Sequence, residues 1–195
     1  MNLGSILNRH ARYRPDHTAV IFGDIRLSYA EFNRRVNRLA HGLIREGIQK
    51  GDKIATILPN TLELLEVYWA VAKIGAVVVP LSNLLRGQGL TRLLNDSDTA
   101  LIITDSGFVE HLDPVKSELP LVAPQRYFLI DQADIPGYRL YSALTHGSPE
   151  YDPIGIEIAA DDLYNIFYSS GTTGLPKGIM HTHEIRVLYG MLFSV

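Results

Sequence analysis

Cysteine is absent from the 195 residues, which removes disulfides, thiol nucleophiles and cysteine-based metal sites. A long apolar run is missing too. The greasiest stretch, Val67 to Leu81, is interrupted by Lys73, Gly75 and Pro80 and is too short to span a bilayer. The N-terminal residues lack the apolar core and cleavage site of a secretory signal, so a cytoplasmic location is expected. Neither charge sign dominates: the net charge of −3 gives no electrostatic case for nucleic acid or an anionic membrane. No G-x-S-x-G elbow, solenoid repeat or low-complexity tract occurs, which argues against a serine hydrolase and a repeat protein. What remains is an ordinary globular balance, 46% hydrophobic and 20% charged, with enough chain for a sizeable core.

Strand and helix patterns alternate along the chain. Residues 2–13 read as a short helix ended by Pro15, then Thr18 to Phe22 and Ile25 to Ser28 as strands joined at Gly23-Asp24. Ser28-Tyr-Ala-Glu31 is a capping box, followed by an apolar stripe of Phe32, Val36, Leu39 and Leu43 that Gly47 closes. Arg34, Arg35, Asn37 and Arg38 lie off the stripe and read as a solvated face. Lys53 to Leu58 reads as a strand, and Asn60-Thr-Leu-Glu63 as a second capping box opening a helix to Ile74, with Tyr68 and Trp69 as core. Ala76 to Val79, Ala100 to Thr104 and residues 126–130 read as strands. Helices are expected over about Gln88 to Asn95 and about Gly107 to Leu119. From Asp131 to Asp162, prolines and glycines break the pattern, and a surface excursion is expected. The alternation predicts an α/β fold of βαβ units around a largely parallel sheet.

The stretch with chemistry in it is Ser169-Ser-Gly-Thr-Thr-Gly-Leu-Pro-Lys177-Gly178, between apolar runs that read as strands. Ser169, Ser170, Thr172 and Thr173 offer hydroxyl donors, and Lys177 offers a flexible cation. Gly171 and Gly174 let backbone N–H groups turn toward an anion. Such a loop suits a polyphosphate. It is not the G-x-x-x-x-G-K-[ST] loop, because Pro176 precedes the lysine and Gly178 follows it.

Ser169 to Lys177 resembles the signature of the AMP-forming adenylating enzymes, the family of acyl-CoA synthetases, amino-acid adenylation domains and beetle luciferases. Leu27 to Glu31, Gly51 to Lys53, Pro59-Asn60, Gly75-Ala76 with Pro80, and Leu94 to Ser97 extend the likeness along the chain. The resemblance implies a large N-terminal domain, incomplete in this chain, in which residues 1–195 form the part ending just after the phosphate loop. It implies that Ser169, Ser170, Gly171, Thr172, Thr173, Gly174 and Lys177 grip the ATP phosphates while a carboxylate attacks the α-phosphate. Catalysis there is alignment plus charge stabilisation on the departing pyrophosphate.

The implied reaction is carboxylate–CoA ligation through an acyl-adenylate and then a thioester, with ATP, Mg2+ and CoA. An amino-acid adenylation domain or a luciferase-like enzyme shares the same loop. The family's magnesium, adenine and ribose contacts and its C-terminal catalytic lysine are expected downstream, so no catalytic residue is assigned here. The 195-residue chain alone is expected to be inactive. The alternative of another class is a non-catalytic module that binds nucleotide weakly or self-associates as a homo-oligomer through an unpaired sheet edge.

His181-Thr-His183 follows the loop. Two histidines on one strand face are too few ligands for zinc, and no metal site is expected. Thr182 or His183 reads as the start of a last helix over Glu184 to Phe193. The family often has Thr-His here, which leaves His183 as a candidate close to substrate or nucleotide.

Overall fold

The structure, a computed structural model, describes residues 2–169 and 176–192. Helix α1 (Gly4–Tyr13) leads into the hairpin β1 (Thr18–Phe22) and β2 (Ile25–Ser28), a small sheet of its own. Helix α2 (Tyr29–Arg45) starts at the expected capping box: Glu31 N–H donates to Ser28 Oγ, and Ser28 N–H donates to the Glu31 carboxylate at 2.8 Å. Then come β3 (Lys53–Ile57), α3 (Leu62–Ile74), β4 (Val77–Pro80), α4 (Gly87–Asp96) and β5 (Thr99–Thr104). The second half holds α5 (Val109–Leu112), β6 (Tyr127–Leu129), β7 (Arg139–Leu140), α6 (Ser142–Thr145), β8 (Leu163–Ser169), β9 (Lys177–Thr182) and α7 (His183–Leu192).

Among the described residues the main sheet runs β7-β6-β5-β3-β4-β8-β9. Every pairing in it is parallel except β8 with β9. Period-two alternation divides the core. Ile54, Val78, Leu101, Ile103 and Phe128 pack with α1, α2 and α3 on one face. Ala55, Ile57, Val77, Val79 and Ile102 pack with α4 and α5 on the other. The two helical layers bury β3, β4, β5 and β6 on both sides, as a parallel sheet requires, while β9 is largely exposed.

Four expectations need correction. Thr61, not Asn60, caps α3: its backbone is extended and its Oγ1 accepts from Leu64 N–H at 3.2 Å. Glu63 therefore sits one position too early to reach back, so no reciprocal box forms. The single helix expected to Leu119 is instead a 3-10 turn (Ser106–Phe108), α5 and a second 3-10 turn (Asp113–Glu118). Pro114 lacks the N–H that a continuous helix would use.

The expected solvated face of α2 is only partly solvated. Asn37 is buried, Arg35 pairs with the buried Glu66, and Arg34 and Arg38 face Glu150. The excursion over residues 131–162 contains the edge strand β7 and the helix α6, whose Leu144 is fully buried beside Tyr141. Both elements are too short to carry a readable period.

Candidate functional site

In a doubly wound sheet, ligands bind beyond the carboxyl ends of the strands, where successive connections leave to opposite faces. Here β3 exits into α3 on one face, while β4 and β5 exit into α4 and α5 on the other. Strand β8 lies parallel to β4 through Val78 and Asn165, so its last residue, Ser169, emerges at that same carboxyl end. Strand β9 returns antiparallel, with Ser169 opposite Lys177. The sequence-predicted Ser169 and Lys177 therefore stand across from each other, both exposed, at the rim where the topology favours a ligand. Ser170, Gly171, Thr172, Thr173 and Gly174 lie outside the described residues.

The hairpin below this rim is fastened to its surroundings. Tyr168 OH donates to Asp96 Oδ2 at 2.6 Å, tying the end of β8 to the end of α4. Burial and the Asp96 carboxylate together push the Tyr168 phenol well above its ordinary value, so it stays a donor. Gly178, opposite Tyr168 in the register, has no side chain to lift that ring. A Cβ there would meet Ile166 Cγ2 at 3.1 Å and Tyr168 Cε1 at 3.4 Å. The glycine right after Lys177 is thus needed for packing of β8 against β9.

At the amino end of the hairpin, His183 is fully buried as the first residue of α7. Its Nδ1 accepts the Leu3 backbone N–H at 3.2 Å, and the His183 backbone N–H donates to the Asp162 carbonyl oxygen at 3.0 Å. Its ring lies 5.4 Å from that of Tyr164. Burial holds its pKa below the ordinary histidine value; Asp162 opposes the shift and Lys50 adds to it. His183 thus joins α1, β8 and α7 at the end of the sheet away from Ser169 and Lys177. His181 has different neighbours: its ring sits 6.0 Å from both Phe167 and Tyr189.

Sequence reading missed the buried ionic residues of α3. Glu66 accepts from Arg35 Nε at 2.5 Å and from Tyr141 OH at 2.7 Å. Lys73 Nζ donates to Asn33, Asn37 and Asp152 oxygens at 2.6, 2.7 and 2.6 Å, and also to Asn8 Oδ1. Burial depresses the Lys73 pKa, with Asp152 opposing. A charged residue inside an otherwise apolar helix was the one available signal. These groups hold the frame and lie off the carboxyl rim of β8.

Comparison with known proteins agrees with this frame. The model of the family described as AMP-binding enzyme matches residues 7–193. A medium/long-chain-fatty-acid–CoA/3-oxocholest-4-en-26-oate–CoA ligase of Mycobacterium marinum is 32% identical over 97% of this chain and 36% of its own length. The inhibitor-bound N-terminal domain of FACL13 from Mycobacterium tuberculosis superposes with a TM-score of 0.77 at 31% identity, over 94% of this chain and 44% of that one. The anthranilate CoA ligase AuaEII, crystallised with anthranoyl-AMP, shares the fold with a TM-score of 0.91 at 23% identity, over 99% of this chain and 37% of that one. The chain thus spans about a third of the length of the curated relatives it matches. On the family match along nearly its whole length, with the parallel sheet and the β8–β9 hairpin in place, this chain belongs to the AMP-binding enzyme family.

Proposed function

We propose that this chain carries the ATP-phosphate-gripping part of an AMP-forming carboxylate–CoA ligase acting on fatty or related organic acids. The observation that carries the reading is the opposition of Ser169 and Lys177 at the carboxyl end of the sheet. An exposed cation and a hydroxyl flank the mouth of a Ser/Thr/Gly loop there, which is the donor set a polyphosphate needs. ATP supplies the activated phosphoryl group and pyrophosphate as the leaving group. Lys177 and the hydroxyls of Ser169, Ser170, Thr172 and Thr173 hold that leaving group and offset its growing charge. Gly171 and Gly174 of the same stretch are assigned to the grip because glycine lets a backbone N–H turn toward an anion. A carboxylate is already a nucleophile at neutral pH, so the chain need not provide a general base. Relatives that ligate fatty acids to CoA support the acid class. CoA and Mg2+ belong to the complete reaction of such a ligase, and the magnesium ligand is not assigned to this chain.

The test is ATP affinity of the 195-residue protein by calorimetry, with Lys177→Ala beside the parent. Loss of a charge-assisted hydrogen bond, worth about 1.5–3 kcal/mol, weakens ATP roughly 10- to 150-fold. Equal affinity in the two proteins would falsify the assignment of the loop. The isolated chain is expected to show no ATP–pyrophosphate exchange, and measurable exchange would overturn that part.

A further inference from the structure

The end of β8 that carries Ser169 overhangs the sheet. Strand β8 is in register with β4 only at Val78 and Asn165, and β4 stops at Pro80, which has no N–H to extend the ladder. Over residues 166–169 the one strand neighbour among the described residues is β9, the sheet edge, whose residues 177–180 are exposed. Ser169 and Lys177 therefore stand at the free end of a two-stranded ribbon. Such a ribbon is marginally stable by itself in water, so the separation of the two residues depends on what anchors it.

Tyr168 is placed to be that anchor. It precedes Ser169 on β8 and stands opposite Gly178, the residue after Lys177. Its ring lies over that glycine, where an added Cβ would be 3.4 Å from Cε1, and it packs with Ile166 against the cluster of α4 and α5. Among the described residues, the side-chain hydrogen bonds from residues 166–169 and 177–180 to the rest of the chain come from Tyr168 alone. They run 2.6 Å to Asp96 Oδ2 and, more weakly, 3.5 Å to the Leu93 carbonyl oxygen. Asp96 brings α4 itself no benefit. It is exposed and is the last residue of the helix, where a carboxylate meets the negative end of the helix dipole. No basic residue in that last turn offsets it, so the bond from Tyr168 accounts for an acid at this position.

We infer that Tyr168, anchored on Asp96, is a positioning residue for ATP, holding the hairpin end so that the Ser169 hydroxyl and the Lys177 ammonium meet the polyphosphate together. This inference rests on the ligase reading above and deepens it. Tyr168 acts through Ser169 and Lys177, by limiting how far the ribbon end sways, and does not itself touch the nucleotide. Asp96 works against its own charge, because a carboxylate near the rim repels a polyphosphate. An anchor and a mere charge at Asp96 therefore predict opposite signs when the side chain is removed.

The test is calorimetry of the 195-residue protein with ATP, for the parent, Tyr168→Phe, Asp96→Ala and Asp96→Asn, each checked by thermal melt to be folded at the assay temperature. Tyr168→Phe keeps the ring over Gly178 and is expected to weaken ATP roughly fivefold, the scale of one solvent-accessible hydrogen bond. Asp96→Ala should weaken ATP as well, although it deletes a negative charge. Asp96→Asn, whose amide oxygen still accepts from the phenol, should bind at least as tightly as the parent. In a Lys177→Ala background, Tyr168→Phe should change affinity by less than about twofold, because the cation it positions is gone. A general loss of stability would instead cut affinity by the same factor in both backgrounds. Parental affinity in Tyr168→Phe, tighter binding by Asp96→Ala, weaker binding by Asp96→Asn, or an undiminished Tyr168→Phe effect without Lys177 overturns the inference. In each of those cases Lys177-dependent binding by the parent leaves the ligase reading standing. ATP binding that is absent, or unchanged by Lys177→Ala, removes that reading and the inference with it.

Discussion

Lys73 Nζ lies 2.6 Å from Asp152 Oδ1 although 79 residues separate them, and the lysine side chain is almost fully buried while the aspartate is not. The ammonium has three protons to share among Asp152 and the carbonyl oxygens of Asn8, Asn33 and Asn37. It thereby fastens the segment before β8 onto α1, α2 and α3. The two partners are unequal in what their removal leaves behind. Lys73→Ala opens a cavity and strands three amide oxygens, for a loss of about 2–5 kcal/mol. Asp152→Ala leaves the ammonium with its three asparagines, and the half-exposed carboxylate returns little, so about 1 kcal/mol is lost. Urea unfolding of both variants checks the order, and an equal or reversed order would refute the cage.

A second expectation concerns acid. Burial holds the folded pKa of His183 below its ordinary 6.5, Lys50 in the same direction and Asp162 against it. Below 6.5 and down to the folded value, the unfolded chain binds more protons than the native one. Stability therefore falls as pH drops through that window and is regained as pH rises. Protonation also removes the acceptor that Nδ1 offers to Leu3 N–H. His181 shifts the same way, through burial and Arg186, so it contributes a slope of the same sign. Unfolding free energies measured from pH 7 to pH 5 should decline, and His183→Asn, which keeps an acceptor without a titrating ring, should decline less. A variant with an undiminished slope would show that His183 is not the linked group.

Much of this was legible because it is local. The hairpin β1–β2 and the Ser28–Glu31 box depend on residues a few positions apart, and the apolar runs of β3 and β5 are bounded by their own turn residues. The stretch Ser169 to Gly178 is likewise a contiguous motif. What it lacked was a frame, and only the sheet order shows that Ser169 and Lys177 meet at the carboxyl rim. Distant partners were not legible. Glu66 and Lys73 sit in an apolar helix whose pattern says nothing of Tyr141 or Asp152, and Asn165 is unremarkable until its burial is known. Strand β7 fell below any period because it is two residues long.

The Glu66 triad allows a conservative test. Tyr141 is buried and donates to Glu66 Oε2 at 2.7 Å, while Arg35 takes Oε1. Burial pushes the Glu66 pKa up, with Arg35 and the Tyr141 hydroxyl opposing. Tyr141→Phe keeps the ring and leaves one carboxylate oxygen without its donor, at a cost of about 1–3 kcal/mol. Removing that opposing bond should also raise the Glu66 pKa further. Thermal melts and a carboxylate titration followed by NMR report the two effects, and a variant as stable as the parent would mean that water replaces the hydroxyl.

Two glycines predict opposite outcomes for the same substitution. Gly42 of α2 faces α6, and an added Cβ would lie 1.9 Å from the Leu144 backbone oxygen. Backbone cannot rotate aside as a side chain can, so α6 must lift away together with the buried Leu144. Overpacking of this kind costs about 1–3 kcal/mol or more. Gly89 of α4 meets nothing within 4 Å and keeps an ordinary negative φ. Alanine there only reduces the freedom of the unfolded chain and raises helix propensity, a gain of about 0.5–1 kcal/mol. Gly42→Ala should therefore lower the melting temperature while Gly89→Ala raises it. The contrast isolates the α2–α6 contact, because propensity alone favours alanine at both positions. If Gly42→Ala were stabilising as well, α6 would not be seated on α2, and the segment leading from β7 toward β8 would need to be redrawn.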